Sequence, residues 1–230
     1  MERSYLRPTA EQTYEISSQS RPDLNFRAII NRAIKLQNSG ELEQACEVRF
    51  HAAQTLQEAL PEDEEVILEW GDENSRAALE VLYLSGIDNF LVADYELSSA
   101  LLEMCLDLDP EDHYEATNLL AYNYLALGEF ELFDEIINDI SDKHPSRMLL
   151  LLWSSHLRDG AIALRELMAF KSRYNQFYNE FTSDEHPVDE KYLIDIESER
   201  PSKEAQAREL WLQTEHLWSE HPEFIDALKG

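Results

Sequence analysis

Residues 114–147 read YEATNLLAYNYLALGEFELFDEIINDISDKHPSR, with a run of helically spaced apolar residues on each side of Gly128. Apolar residues that recur every three or four positions form one face of a helix. Gly128 predicts a tight turn, because glycine adopts a left-handed backbone easily, and Pro145 predicts the end of the second helix. The segment therefore predicts a helix hairpin, with helices at about 113–127 and 129–143.

Prolines recur along the chain at the ends of predicted helix pairs. Pro110 and Pro145 lie 35 residues apart and each closes a predicted helix pair, which is close to the period of about 34 residues found in one class of helical repeats. The segment resembles the tetratricopeptide repeat family at six signature positions, which are Leu120, Ala121, Tyr124, Gly128, Phe130 and Pro145. The resemblance implies a divergent member of that family, in which the small side chain of Ala121 lets the paired helices approach closely.

Three further units match the family less completely. Residues 79–112 match mainly in their second half and lack the usual glycine at the turn. Residues 26–59 carry Arg32 and Arg49 where the family has apolar side chains, and the unit that starts at Ser146 loses register in its second helix. The resemblance implies an all-α fold, built as a right-handed α-solenoid of stacked helix hairpins with a C-terminal capping segment.

Composition sets the predicted domain boundaries. Residues 1–22 are polar, lack a sustained period and predict a flexible N-terminal arm. Residues 23–181 predict the repeat domain, interrupted by an acidic insertion at about 60–78. Residues 182–230 predict a C-terminal extension, in which Tyr192–Ile196 alternates as an extended segment would before the capping helices.

The net charge of −28, from 47 acidic and 19 basic side chains, limits the possible partners. Nucleic-acid binding needs a clustered basic surface, and no basic stripe occurs, so nucleic acid is not expected as a ligand. The charge favours either solubility through like-charge repulsion or a basic protein partner steered onto an acidic face. No apolar run reaches the roughly 18 residues of a membrane span, and the N-terminus lacks a secretory signal, so a cytoplasmic location is predicted.

A binding face is implied by the family resemblance. In tetratricopeptide proteins the first helix of each pair lines a concave groove that often holds an extended peptide. Carried onto the best-matching unit, this implies four partner-binding residues, which are Glu115, Asn118, Tyr122 and Leu125. Ordinary exposed surface is the alternative interpretation. Glu115 stands where carboxylate-binding members carry a cation, so an acidic tail is not expected as the partner.

The sequence lacks the common catalytic and metal-binding patterns GxSxG, GxxxxGK[ST], GxGxxG, HExxH and CxxC. Cys46 and Cys105 fall in helical stretches and are expected in the core. We therefore expect no cofactor, no metal and no enzymatic activity, and predict a scaffold that binds a peptide or protein. The alternatives are self-association through the acidic insertion or the helix bearing Trp211 and Trp218, and an all-α enzyme with convergent carboxylates; oligomeric state and partner identity stay open.

Overall fold

The structure is a computed structural model that describes residues 4–61 and 63–230. These residues form twelve α-helices, one 3-10 turn and three short strands, which confirms the mostly helical fold predicted from the sequence. The chain divides into two compact units, Met1–Asn123 and Tyr124–Gly230. Residues 1–3 of the predicted arm and Glu62 of the acidic insertion lie outside the described residues.

The N-terminal unit begins with a small sheet and continues as helices. Its elements are β1 (Leu6–Ala10), β2 (Thr13–Ile16), α1 (Phe26–Asn38), α2 (Leu42–Ala59), β3 (Ile67–Leu68), α3 (Glu73–Leu91), α4 (Tyr95–Leu108) and α5 (Ala116–Leu127), which runs on into the second unit. Side-chain caps fix two of the helix starts: Asn25 accepts a hydrogen bond from the amide of Ala28, and Asp72 accepts one from the amide of Ser75. Such caps satisfy amide groups that the first turn of a helix leaves unpaired.

Residues 6–16 form a β-hairpin where the sequence predicts a flexible arm. β1 pairs antiparallel with β2, and β2 pairs in parallel with β3, with Thr13 opposite Ile67. The Tyr5 hydroxyl donates to the carbonyl of Ala59 at 2.8 Å, which fastens the start of the hairpin to α2. The difference arises because β3 follows 54 positions later, so that no local period in the sequence reveals the pairing.

The C-terminal unit consists of short and medium helices. They are α6 (Phe130–Ile136), α7 (Pro145–Asp159), α8 (Leu164–Arg173), α9 (Asn175–Phe181), α10 (Glu190–Ile196), α11 (Lys203–Glu220) and α12 (Pro222–Lys229). The prediction of an extended segment at Tyr192–Ile196 was wrong, because these residues lie in α10. The physical reason is a cap: the Asp189 carboxylate accepts from the amide of Tyr192 at 2.8 Å and starts the helix.

Three helix pairs share one turn geometry. Gly40, Ala93 and Gly128 follow α1, α3 and α5 with φ angles of +81°, +61° and +73°. In each turn the next residue donates its amide to a carbonyl five positions earlier, in the pairs Glu41–Leu36, Asp94–Asn89 and Glu129–Tyr124. This is a helix end closed by a left-handed residue. The glycines that recur in the sequence therefore serve one repeated turn, which Ala93 adopts without a glycine.

Helix α3 is the central element of the N-terminal unit, since it packs against α1, α2 and α4. Its contact with α4 is close at Gly86, whose carbonyl accepts a hydrogen bond from the Ser98 hydroxyl at 2.7 Å. Its contact with α2 includes Arg49, which stands at an apolar position of the family pattern and is only 4% exposed. The Arg49 guanidinium donates to both carboxylate oxygens of Asp88, at 2.7 and 2.8 Å. The two helix pairs α1–α2 and α3–α4 are thus packed onto each other.

Candidate functional site

The four residues predicted to bind a partner lie on α5 or directly before it. Glu115 is exposed, with a left-handed φ of +54°, and Asn118 is half-buried. Tyr122 and Leu125 are only 1% and 2% exposed, and the Tyr122 ring lies 6.3 Å from that of Phe90. Tyr122 and Leu125 are therefore core residues, and the four side chains do not share an exposed face.

The sequence of α5 explains why this face is buried. The run from Leu119 to Leu127 is apolar at all positions but Asn123, and such a helix packs on more than one side. Even Asn123 is fully buried, where its side-chain amide donates to the Ser98 hydroxyl at 2.8 Å. The apolar run itself could have signalled burial of Tyr122 before the family pattern was applied.

An open groove lies instead between the second helices of the two N-terminal pairs. It comprises two adjoining cavities of about 580 and 540 Å³. Both are lined by Leu60, Pro61, Met104 and Asp107, so they form one continuous feature, which we call the α2–α4 groove. All of its lining residues lie between positions 50 and 110, within the N-terminal unit.

The two helical walls of the groove have the same residue spacing. The wall from α2 and its C-terminal end consists of Phe50, Ala53, Gln54, Gln57 and Leu60. The wall from α4 consists of Leu97, Ala100, Leu101, Glu103, Met104 and Asp107. Apart from Glu103, both sets follow i, i+3, i+4, i+7, i+10, which is one face of a helix over about three turns. The cavity of about 540 Å³ therefore lies between two helical stripes of mostly apolar side chains, whereas the cavity of about 580 Å³ is lined by the end of α4 and by the segment from Pro61 to Ile67.

The rim of the groove is acidic. Among the residues that the structure describes, its charged lining residues are Glu64, Glu65, Glu103 and Asp107, and no lysine or arginine lines it. The sequence of the same unit has the same sign: residues 50–123 hold 18 acidic side chains and one basic side chain, Arg76, and so carry −17 of the net −28. Residues 143–179, by contrast, hold six basic and two acidic side chains. Such segregation creates a negative potential around the groove that attracts cations.

A second cluster of aromatic and polar groups surrounds Trp70. The His113 ring stacks on Trp70 with centroids 4.1 Å apart, and its Nδ1 lies 2.7 Å from an Asp109 carboxylate oxygen. The Arg76 guanidinium lies 5.6 Å from the centre of the Trp70 ring, and burial raises the pKa of the Tyr114 hydroxyl above its usual range. These contacts connect the segment before α3 to the segment before α5, so the cluster stabilises the fold.

A third cluster joins α9 to α11 in the C-terminal unit. Glu180 is 9% exposed, and its carboxylate accepts hydrogen bonds from the Arg208 guanidinium. His186 Nδ1 lies 2.7 Å from the same carboxylate, and the His186 ring stacks on Trp211 with centroids 3.9 Å apart. Because both carboxylate oxygens contact neighbouring side chains, this cluster too stabilises the fold.

Trp211 and Trp218 lie on the helix that the sequence offers as an alternative self-association surface. The structure places both side chains in the core of the C-terminal unit. They are 8% and 3% exposed, and each ring contacts Phe181. The Trp218 indole donates to the Thr214 hydroxyl at 2.8 Å. Neither indole offers an exposed apolar surface, so an interface built on these two rings would require α11 to leave its packing.

Within residues 4–61 and 63–230, no three or more His, Cys, Asp or Glu side chains are grouped so that they could hold a metal ion. In the same part of the chain, every helix is too short or too polar to cross a membrane.

Comparison with protein-family models, with curated proteins and with solved structures finds no match to this chain. The resemblance to tetratricopeptide repeats therefore depends on the signature residues alone and stays a prediction. Function has to be argued from the geometry of the α2–α4 groove.

Proposed function

We propose that this protein is a protein-interaction module, not an enzyme, and that it binds a segment of another protein in the α2–α4 groove. In this proposal the stacked helix pairs form a rigid tetratricopeptide-like scaffold, a right-handed α-solenoid closed by the C-terminal helices. The proposal depends on the groove, because the groove combines accessible apolar side chains on its walls with an acidic rim.

The walls of the groove support binding because several of their apolar side chains still contact water. Ala100 is exposed, and Phe50, Leu97 and Met104 are half-buried, so a bound segment would remove further apolar surface from solvent. Such burial favours association, because removing apolar surface from water lowers the free energy. The two cavities, of about 580 and 540 Å³, are also within the range of roughly 300–1,000 Å³ typical of binding pockets.

Site-specific photo-crosslinking tests whether a partner occupies the groove. A photoreactive amino acid at Gln54, on the groove wall, should crosslink to a distinct protein in lysate of the source organism. The same amino acid at Gln37, exposed on α1, should not crosslink to that protein. The crosslinked protein, identified by mass spectrometry and purified, should then bind the full-length chain directly.

A matched pair of substitutions makes the assignment to the groove specific. Ala100→Lys places a long cationic side chain on the α4 wall of the groove, and Ala169→Lys makes the same chemical change on the exposed face of α8. Both positions are exposed in helices, so both variants should fold. We expect Ala100→Lys to lower affinity for the purified partner by about tenfold, or roughly 1.4 kcal/mol, and Ala169→Lys to leave it unchanged. Equal affinities of the two variants would refute the groove as the binding site.

Self-association is a second candidate, and one observation favours it. Leu164 and Met168, one turn apart on α8, are 69% and 62% exposed, and grouped exposed apolar side chains often mark interfaces. Sedimentation velocity over a wide range of concentration tests this function. A dimer that Met168→Glu dissociates would support it, whereas a monomer at every concentration would remove it.

A further inference from the structure

We infer that the segment bound in the α2–α4 groove is a cationic amphipathic α-helix of about three turns. This inference rests on the proposed function, because it names the class of partner for the same groove. It combines three properties of the site: two helical walls with equal spacing, the length of those walls, and the exclusively acidic charge of the rim.

The walls favour a helix over an extended peptide. An extended peptide leaves its backbone N–H and C=O groups unpaired unless the receptor supplies partners. In α2 and α4 the backbone groups are already paired within each helix, and among the described lining residues the side-chain amides are Gln54 and Gln57. The edge strand β3 also borders the groove, but it spans two residues, Ile67–Leu68, and could pair with only a short part of an extended peptide. A helix satisfies its own backbone and needs only complementary side chains, which is how an amphipathic helix binds a groove between helices.

The dimensions set the length of the bound helix. The α2 wall runs from Phe50 to Leu60, and ten residues of helix rise about 15 Å at 1.5 Å per residue. A bound helix of about 11 residues would match this length, and its apolar side chains at i, i+3 or i+4 and i+7 would contact the walls of the groove. Met104 lies where the two cavities meet, and a central anchor of the bound helix would contact it.

The rim determines the sign of the flanking charges. Lysine or arginine beside the apolar anchors can lay its aliphatic stem on the groove wall while its charged end reaches Glu64, Glu65 or Asp107. A bound acidic side chain would instead meet these carboxylates with no cation among the described lining residues to balance it. The segment 50–123 of the same unit, with a net charge of −17, adds attraction over longer distances and should speed association at low salt.

The molecule itself contains one helix of partly similar chemistry, and its charge argues against it as the occupant. Helix α8 carries Arg165, Lys171 and Arg173 against Glu166, next to its exposed apolar pair. For α8 of a second copy to enter the groove, two molecules of net charge −28 would have to associate against their mutual repulsion. A short cationic helix on another protein meets no such opposition.

Synthetic peptides test the inference with the full-length chain. The probe is a fluorescent peptide of about 12 residues, with leucines on one helical face and lysines beside them, read by fluorescence anisotropy. Three controls keep its length: one has the same composition in scrambled order, one carries glutamate in place of lysine, and one has a central proline that breaks the helix. We expect the probe to bind about tenfold or more tightly than every control, and its affinity to fall as salt rises.

Matched charge variants localise the effect. Glu64→Lys with Asp107→Lys changes the charge by the same amount as Glu41→Lys with Glu43→Lys, two exposed positions at the start of α2. Glu43 lies 17 residues before Leu60, which is about 25 Å along α2 from the end of the groove that Glu64 and Asp107 line. Because screening confines charge interactions to about 10 Å at ordinary salt, the rim pair should weaken the probe by about tenfold and the Glu41–Glu43 pair by less than about threefold. Equal weakening by both pairs would mean general attraction by net charge and would overturn the inference.

The remaining outcomes separate this inference from the proposed function. If the glutamate or proline peptide binds as tightly as the probe and Ala100→Lys weakens it, the groove binds protein segments but the inferred partner class is wrong. If no peptide binds and Gln54 crosslinks to no protein, both ideas fail. If the chain self-associates and both Met168→Glu and Ala100→Lys prevent this, the groove takes a second copy and the inference is overturned.

Discussion

Gly86 of α3 lies so close to Leu102 of α4 that a Cβ atom on Gly86 would come within 2.8 Å of Leu102 Cγ and Cδ2. Leu102 is fully buried, so its side chain can move away only by displacing other core side chains. Gly86→Ala should therefore destabilise the protein, since overpacking costs about 1–3 kcal/mol and outweighs the gain of about 1 kcal/mol in helix propensity. Urea unfolding followed by circular dichroism measures the change.

A double-mutant cycle identifies the cause of that loss. Leu102→Ala alone should cost about 2–5 kcal/mol through the cavity it leaves. In the Leu102→Ala background, Gly86→Ala meets no side chain and should stabilise by about 0.5–1 kcal/mol. The sign of the alanine effect should thus reverse between the two backgrounds. A loss of the same size in both would show that close packing against Leu102 is not the reason for glycine at this position.

Ala93 adopts a left-handed backbone with φ of +61° at the turn between α3 and α4, where the equivalent turns have Gly40 and Gly128. The left-handed region costs a residue with a Cβ atom about 1–2 kcal/mol, and glycine avoids this cost but gains entropy in the unfolded chain. We expect Ala93→Gly to stabilise the protein by about 0.5–1 kcal/mol. The opposite change, Gly128→Ala, should destabilise by a similar amount. A rise in the urea midpoint of Ala93→Gly at unchanged m-value is the supporting result.

The sequence predicts those parts of the fold that depend on local signals. Gly128 marks a real helix boundary, because a left-handed turn acts on its immediate neighbours. The prediction that Pro145 ends the helix after Gly128 was wrong: α6 ends at Ile136, and Pro145 is the first residue of α7, where its missing amide costs no hydrogen bond. The β-hairpin escapes such reasoning because β2 pairs with β3 across more than 50 residues. The alternation of residue types around Tyr192 predicts an extended segment. In the structure the N-cap Asp189 starts a helix there instead, and the alternating pattern does not reveal this cap.

The candidate site was harder to predict than the fold. The family pattern placed it on α5, but it cannot say how many sides of a helix are covered, and Tyr122 proves to be buried. The α2–α4 groove depends on which faces of α2 and α4 remain open after α3 has packed against both helices. The clue in the sequence was the equal spacing of Phe50–Leu60 and Leu97–Asp107, which indicates amphipathic helices without telling which neighbour lies on the apolar face.

The pair Arg49–Asp88 should make the N-terminal unit sensitive to the loss of one partner. The side chain of Arg49 is 5% exposed and that of Asp88 18%, and the two groups make a bidentate contact. Asp88→Ala would leave a buried guanidinium without its counter-charge, which we expect to cost about 2–4 kcal/mol. Replacing both groups together, as Arg49→Met with Asp88→Leu, should recover most of the loss because no buried charge remains. If the double variant is as unstable as Asp88→Ala, desolvation of Arg49 is not the cause.

Cys105 should make the protein less stable in alkaline solution. Burial, together with the nearby carboxylates of Asp109 and Asp112, raises the pKa of its thiol to about 12. In the unfolded chain a thiol ionises near pH 8.5, so the unfolded state releases its proton first and gains stability as the pH rises. The contribution of Cys105 is thus complete below about pH 8 and declines toward pH 12, by about 2 kcal/mol at pH 10. Urea unfolding at pH 8 to 10 should show this slope in the native sequence and a flatter slope in Cys105→Ala. An unchanged slope in Cys105→Ala, with Cys46→Ala as the matched control, would assign the alkaline loss to other groups.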